Sequence, residues 1–153
     1  MPGAGTIHAE QVHQSVRYGP SRVQAPVDND ERLFRSWKRS LEAYRLDPGR
    51  AAKPRILTGP ALRDHQDAME RFLRIARHGV RQLHAQVRDA NYVVLLTDGK
   101  GVTIDFRGDP VWDRDLKRAG LYLGSCWSEQ EEGTCGVGTA IIDRSAITVH
   151  KGE

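Results

Sequence analysis

Residues 92–106 read YVVLLTDGKGVTIDF. Tyr92 to Thr97 is an apolar, β-branched run, and Val102 to Phe106 alternates apolar with polar side chains; both are strand signals. Between them Asp98-Gly99-Lys100-Gly101 is a strong hairpin turn. The stretch reads as two antiparallel strands.

Upstream, the apolar period becomes helical. A helix is expected to start near Thr58-Gly59-Pro60, where Thr or Gly caps and Pro fits the first turn because its missing N–H is not needed there. Its stripe is Leu62, Met69, Leu73, Ala76, Val80, Leu83 and Val87, widened by Phe72 and Ile75. Two seven-residue ladders, Leu62-Met69-Ala76-Leu83 and Leu73-Val80-Val87, take the d and a positions of a heptad. Gln66 interrupts the pattern, and Gly79 weakens its middle by about 1 kcal/mol relative to Ala. A long helix packed on a sheet and a dimer seam are both open readings, on different faces. An earlier helix carries Leu33, Phe34, Trp37, Leu41 and Tyr44 on one face. Asp28, Asn29 and Asp30 are its candidate N-caps, and Asp47-Pro48-Gly49 ends it. Residues 1–27 mix Gly, Pro, His and Gln without apolar periodicity and read as a flexible leader.

Downstream, Asp113 to Ala119 suits a short helix. Gly120 to Gly138 reads as an elaborate Gly-rich loop, Gly138 to Arg144 as a helical turn or two, and Ser145 to His150 as a third strand. Helices followed by a hairpin, a loop and a strand fit an α+β domain. Its expected parts are a leader over 1–29, a helical extension and long helix over 30–90, and a sheet with its loop over 91–153.

Composition narrows the function classes. The 153 residues are 39% hydrophobic and 28% charged, a globular balance unlike a disordered or collagen-like chain. The longest apolar run, Tyr92 to Leu96, is far short of the roughly 20 residues of a membrane span. Met1 to Gln14 lacks the apolar core of a secretory signal. Two cysteines, Cys126 and Cys135, cannot form a disulfide framework. The expectation is a soluble, cytoplasmic protein with no membrane partner. The net charge of +3 is uneven: residues 30–90 carry 14 basic and 8 acidic residues, residues 91–153 carry 7 and 10. Arginines in the basic part alternate with Asp and Glu, so a solvated helix face is a better reading than a nucleic-acid surface.

Motifs for catalysis are missing. Gly133-Thr-Cys-Gly136-Val-Gly138 lacks the Lys-Ser/Thr of a phosphate loop and follows no clear strand. Cys126 and Cys135 stand nine apart, unlike zinc ligands. Glu129, Glu131 and Glu132 have no second carboxylate placed opposite them. No nucleophile elbow occurs. The expectation is a non-enzyme with no catalytic residue, metal or cofactor.

Several segments together resemble one family. They are Ser36-Trp-Lys-Arg-Ser40, Tyr44-Arg-Leu-Asp-Pro48, Arg55-Ile-Leu-Thr58 and Leu95-Leu-Thr-Asp-Gly99 with Gly101-Val102. The sharpest are Ala119-Gly-Leu-Tyr-Leu-Gly124, Trp127-Ser-Glu129, Glu132-Gly-Thr134, Gly136-Val-Gly-Thr139 and Ile147-Thr-Val-His150. Across residues 33–153 the chain resembles the N-terminal sensor region of the acetoin catabolism regulators, sigma-54-dependent, Fis-type transcriptional activators. That region contains a GAF domain, a small-molecule sensory fold.

The resemblance implies a GAF-like antiparallel sheet flanked by helices, with an N-terminal helical extension. It implies a small metabolite, acetoin-like by the family's name, as partner, and self-association through the helices. The loop from Leu121 to Gly138 would border the pocket, with Leu121, Leu123 and Trp127 as walls and Ser128, Glu129, Thr134 and Cys135 as polar contacts. Cys135 departs from the family, which carries Asn there; a thiol offers less hydrogen bonding than an amide. In the family the chain continues into more strands, an ATPase and a helix-turn-helix, whereas this sequence ends at Glu153. The expectation is a sensor truncated at its C-terminal side, with DNA contacted only through absent regions. The rival reading is a GAF-like thiol enzyme or redox sensor using Cys126 or Cys135.

Overall fold

The structure is a computed structural model that describes residues 9–10, 12–14, 16–17, 27–49 and 53–149, with backbone alone over 27–30. It is an α+β chain whose sheet is a two-stranded antiparallel hairpin. The chain divides into two compact units: Met1–Ala52 with Ser128–Glu153, and Lys53–Trp127. Within Lys53–Trp127 the long helix packs with the hairpin.

In the unit Lys53–Trp127, β1 (Val94–Thr97) pairs with β2 (Thr103–Arg107) in the register Val94↔Arg107, Leu95↔Phe106, Leu96↔Asp105, with an irregularity before Thr97↔Thr103. Asp98 organises the turn. Its Oδ1 accepts from the N–H groups of Lys100 and Val102, each at 2.9 Å, and Gly101 takes φ 82°, a conformation only glycine adopts freely. The expected in-out alternation of β2 becomes burial on both faces: Thr103 and Asp105 are buried along with Val102 and Ile104.

The long helix has two parts, α2 (Gly59–Ala68) and α3 (Glu70–Val87), parted at Met69 with φ −114° and ψ 13°. The expected start holds, with Thr58 at the N-cap and Pro60 in the first turn. Leu73 and Val80 are buried, and α3 packs on β1 and β2. The a ladder therefore faces the sheet. Phe72, Ile75 and Leu83 remain exposed.

The second edge of β2 is filled by the loop read as a pocket wall. Thr103 N–H donates to Ser125 O at 2.9 Å, Gly124 N–H to Thr103 O at 2.8 Å, and Trp127 N–H to Gly101 O at 2.8 Å. The same loop pairs onward with 55–57: Leu57 N–H donates to Gly124 O at 2.8 Å and Cys126 N–H to Arg55 O at 2.9 Å. Two isolated bridges, Val102↔Cys126 and Ile56↔Ser125, mark this ladder. Downstream of β2 comes α4 (Asp113–Arg118), where the sequence indicated a short helix.

In the other unit, α1 spans Val27–Lys38 and runs into a π-helical turn, Arg39–Ala43. Asp28, Asn29 and Asp30 thus lie inside the helix rather than capping it. The helix ends before Asp47-Pro48-Gly49, because Arg45 turns the chain at φ 55°; Asp47 Oδ1 then caps a separate turn by accepting from Gly49 N–H at 2.9 Å. Two short helices follow in sequence, α5 (Glu129–Glu132) and α6 (Gly136–Asp143). Residues 146–149 have no regular structure, which corrects the third strand: Ala146 O accepts from the Arg32 guanidinium at 2.8 Å, not from a neighbouring strand. His150 and most of the leader lie outside the described residues. Within the leader, 9–10, 12–14 and 16–17 are helical and Val12 is buried.

Candidate functional site

The inward face of α1 is polar where the sequence suggested apolar. Leu33, Ser36 and Ser40 are buried, at the i, i+3, i+7 spacing of one helical face, while Phe34 and Trp37 are half-buried. A buried hydroxyl must find partners. Ser36 Oγ shares hydrogen bonds with Thr134 Oγ1 at 2.7 Å and Thr139 Oγ1 at 3.2 Å. Thr139 Oγ1 also accepts from Cys135 N–H at 3.3 Å.

One turn on, Arg39 reaches a buried carboxylate. Its Nε donates to Glu129 Oε1 at 2.7 Å and its Nη2 to Oε2 at 3.0 Å, and Nη2 lies 3.5 Å from Asp143 Oδ1. The planar fork matches the carboxylate, as paired Arg–Glu geometry requires. The Glu129 side chain has no exposure, and that of Arg39 is 26% exposed. Hydrogen bonding to Glu129 raises the Arg39 pKa against the opposing effect of desolvation. Glu129 is thus occupied by an internal cation.

Cys135 caps α6: its Sγ accepts from Gly138 N–H at 3.2 Å. Burial pushes its thiol pKa up, outweighing the N–H groups of Gly138, Val137 and Thr139 that pull it down. A raised pKa leaves little thiolate at neutral pH, the opposite of an activated nucleophile. Cys126 is buried, with Sγ 3.9 Å from Gly124 O.

The seven residues read as one pocket are divided between the two units. Glu129, Thr134 and Cys135 come together around α1 and α6, and Ser128 is the N-cap of α5. Leu121, Leu123 and Trp127 belong to the unit of the hairpin, half-buried along the loop that pairs with β2. Sequence reading missed Ser36, Arg39, Thr139 and Asp143; the available signal was that Ser36, Arg39 and Ser40 share a face with Leu33. It also missed a groove of about 830 Å³ lined by His84, Tyr92, Trp112 and Leu116 among others.

His65 Nδ1 and Asp98 Oδ2 are 2.6 Å apart. Burial would raise the Asp98 pKa, but hydrogen bonds from His65, Val102 and Lys100 hold it below the ordinary carboxylate value. No group of three or more metal-ligating side chains occurs among the described residues. No described helix is long and apolar enough to cross a membrane.

No family model and no solved structure matches this chain. Curated proteins do. The chain is 47% identical over 148 residues to the acetoin catabolism regulatory protein of Cupriavidus necator, covering 95% of this chain and 22% of that protein. It is 26% identical over 123 residues to the acetoin dehydrogenase operon transcriptional activator of Bacillus subtilis, covering 80% of this chain and 20% of that one. Both relatives are named as regulators of transcription or catabolism, not as enzymes. The chain is therefore related in sequence to the acetoin catabolism regulators that its motifs resemble, and it spans about a fifth of their length.

Proposed function

We propose that this chain is a sensory portion of a bacterial transcriptional regulator: the N-terminal, GAF-type part of a sigma-54-dependent activator. It binds a small metabolite of the acetoin type and passes the bound state to the rest of the regulator. The observation that carries this reading is the 47% identity over 95% of the chain. ATP hydrolysis and DNA contact fall to other parts of such a regulator.

The packing around Arg39 supports a relay. The segment Glu129–Asp143 is tied to the N-terminal helix by a bidentate ion pair and a hydroxyl cluster, so displacement of one moves the other. Phe72, Ile75 and Leu83 leave an apolar stripe on α3, with Ile75 79% exposed and open space at Gly79. This face is where a second copy docks. The raised Cys135 pKa opposes the thiol-enzyme alternative.

Titration of the 153-residue chain with acetoin, with its reduced diol as control, tests the reading by thermal shift. A ligand that binds the native state raises Tm as its concentration passes Kd. A saturable rise with acetoin is expected. A flat response both here and in a regulator containing this segment overturns the sensory reading.

A further inference from the structure

The unit Lys53–Trp127 holds the groove of about 830 Å³, a size that suits a small ligand. One wall is the last turn of α3 and the 3-10 turn after it, carrying His84, Arg88 and Asp89. Asn91, at φ 58°, turns the chain so that Tyr92 follows on the rim. The facing wall is the exit of β2 and the start of α4, carrying Asp109, Trp112 and Asp115.

Three features define the chemistry this groove accepts. Tyr92 and Trp112 are 65% and 52% exposed, and aromatic rings attract cations to their faces. Asp89, Asp109 and Asp115 set three carboxylates against one guanidinium, Arg88, whose Nε already lies 3.3 Å from Asp89 Oδ1. Asp109 Oδ1 accepts from Val111 N–H at 3.0 Å. Asp115 has an exposed partner, Arg118, at 3.7 Å. The C-terminal end of α3 adds the negative end of a helix dipole.

We infer that this groove binds a small organic ammonium ion, a primary amine carrying an apolar or aromatic body. The body lies against Trp112 and Leu116, and the charged end is held by Asp115 and Asp109. Gly108 backs the groove closely: a Cβ there would stand 3.0 Å from both Leu116 Cδ1 and Phe106 Cζ. The site is separate from the loop assigned to the sensed metabolite, and a neutral hydroxyketone does not meet its charge.

The test titrates the whole 153-residue chain with phenethylammonium, using phenylethanol as the neutral analogue of the same shape, by calorimetry and Trp fluorescence at low salt. Saturable one-to-one binding of the amine is expected, with the alcohol about tenfold weaker or worse. Asp115→Asn and Trp112→Leu should each weaken the amine about three- to tenfold. Both side chains are more than half exposed, so circular dichroism should stay unchanged. Equal binding of the alcohol, no saturation below about 10 mM, or unchanged affinity in both variants overturns the assignment. A response to acetoin with none to the amine leaves the sensory reading standing and overturns this one.

Discussion

Each unit is built internally on its own chemistry. Around α1, α5 and α6 the centre is polar: three hydroxyls share hydrogen bonds, and one guanidinium grips a fully buried carboxylate. Around the hairpin the centre is more apolar and backbone-built: Leu73, Val80, Val102 and Ile104 are buried beside Thr103, Asp105 and Ser125, and the loop 121–127 is stitched to β2 by main-chain hydrogen bonds. The contrast concerns what each unit tolerates. A polar core depends on each partner, since a buried charge left alone is costly. An apolar, backbone-paired core depends on space and main-chain geometry, because close packing leaves no room for added atoms.

The sharpest break of this comparison is at Gly124. It takes φ 84°, and a Cβ there would lie 2.1 Å from Leu57 O. Gly124→Ala changes no polar group, yet it should destabilise the hairpin unit by about 4 kcal/mol or more. Urea unfolding followed by circular dichroism measures this; a loss under about 1 kcal/mol would show that the loop can move off 55–57.

In the polar unit the corresponding break is Arg39→Leu. It strands Glu129 in a site with no side-chain exposure and should cost about 3 kcal/mol. Adding Glu129→Leu should restore much of the loss, because replacing both members of a buried ion pair is far cheaper than removing one. If the double variant loses the sum of the two single losses, the pair is not coupled and the polar centre is not the organising element.

The smallest effect is at the hairpin turn, a polar joint of the hairpin unit. The folded-state pKa of Asp98 is lowered, so the native state holds fewer protons than the unfolded chain as pH falls below about 4. Its stabilisation is present above the unfolded carboxylate pKa and is lost as pH falls through the lowered folded pKa. Asp98→Asn should flatten that acid limb and cost about 1 kcal/mol at neutral pH. An unchanged acid limb in chemical unfolding between about pH 5 and pH 2 would remove Asp98 from the account.

The apolar unit was largely legible because its signals are local. The hairpin rests on a strand run, a turn and a second strand within 15 residues, and the start of α2 rests on Thr58-Gly59-Pro60. Where reading failed, the deciding partner lay far along the chain. Ser36 reads as a surface serine until Thr134 and Thr139, about a hundred residues away, meet it. Nothing near Glu129 in the sequence points to Arg39, which donates to both its oxygens. Ile147 to Val149 have strand-forming side chains, yet 146–149 take no regular structure, and the neighbouring carbonyl of Ala146 accepts from Arg32.

By itself, then, the sequence determined the α+β class, the hairpin and its turn, the helix start at Pro60 and the kinship with the acetoin catabolism regulators, because each rests on residue types in fixed short spacing. Only the tertiary structure decided which face of α3 is buried, that the loop 121–127 serves as the edge of the sheet, and that the motif residues at 129–139 close around α1. Those outcomes depend on hydrogen-bond and packing partners brought together by folding, and periodicity carries no information about a partner a hundred residues away.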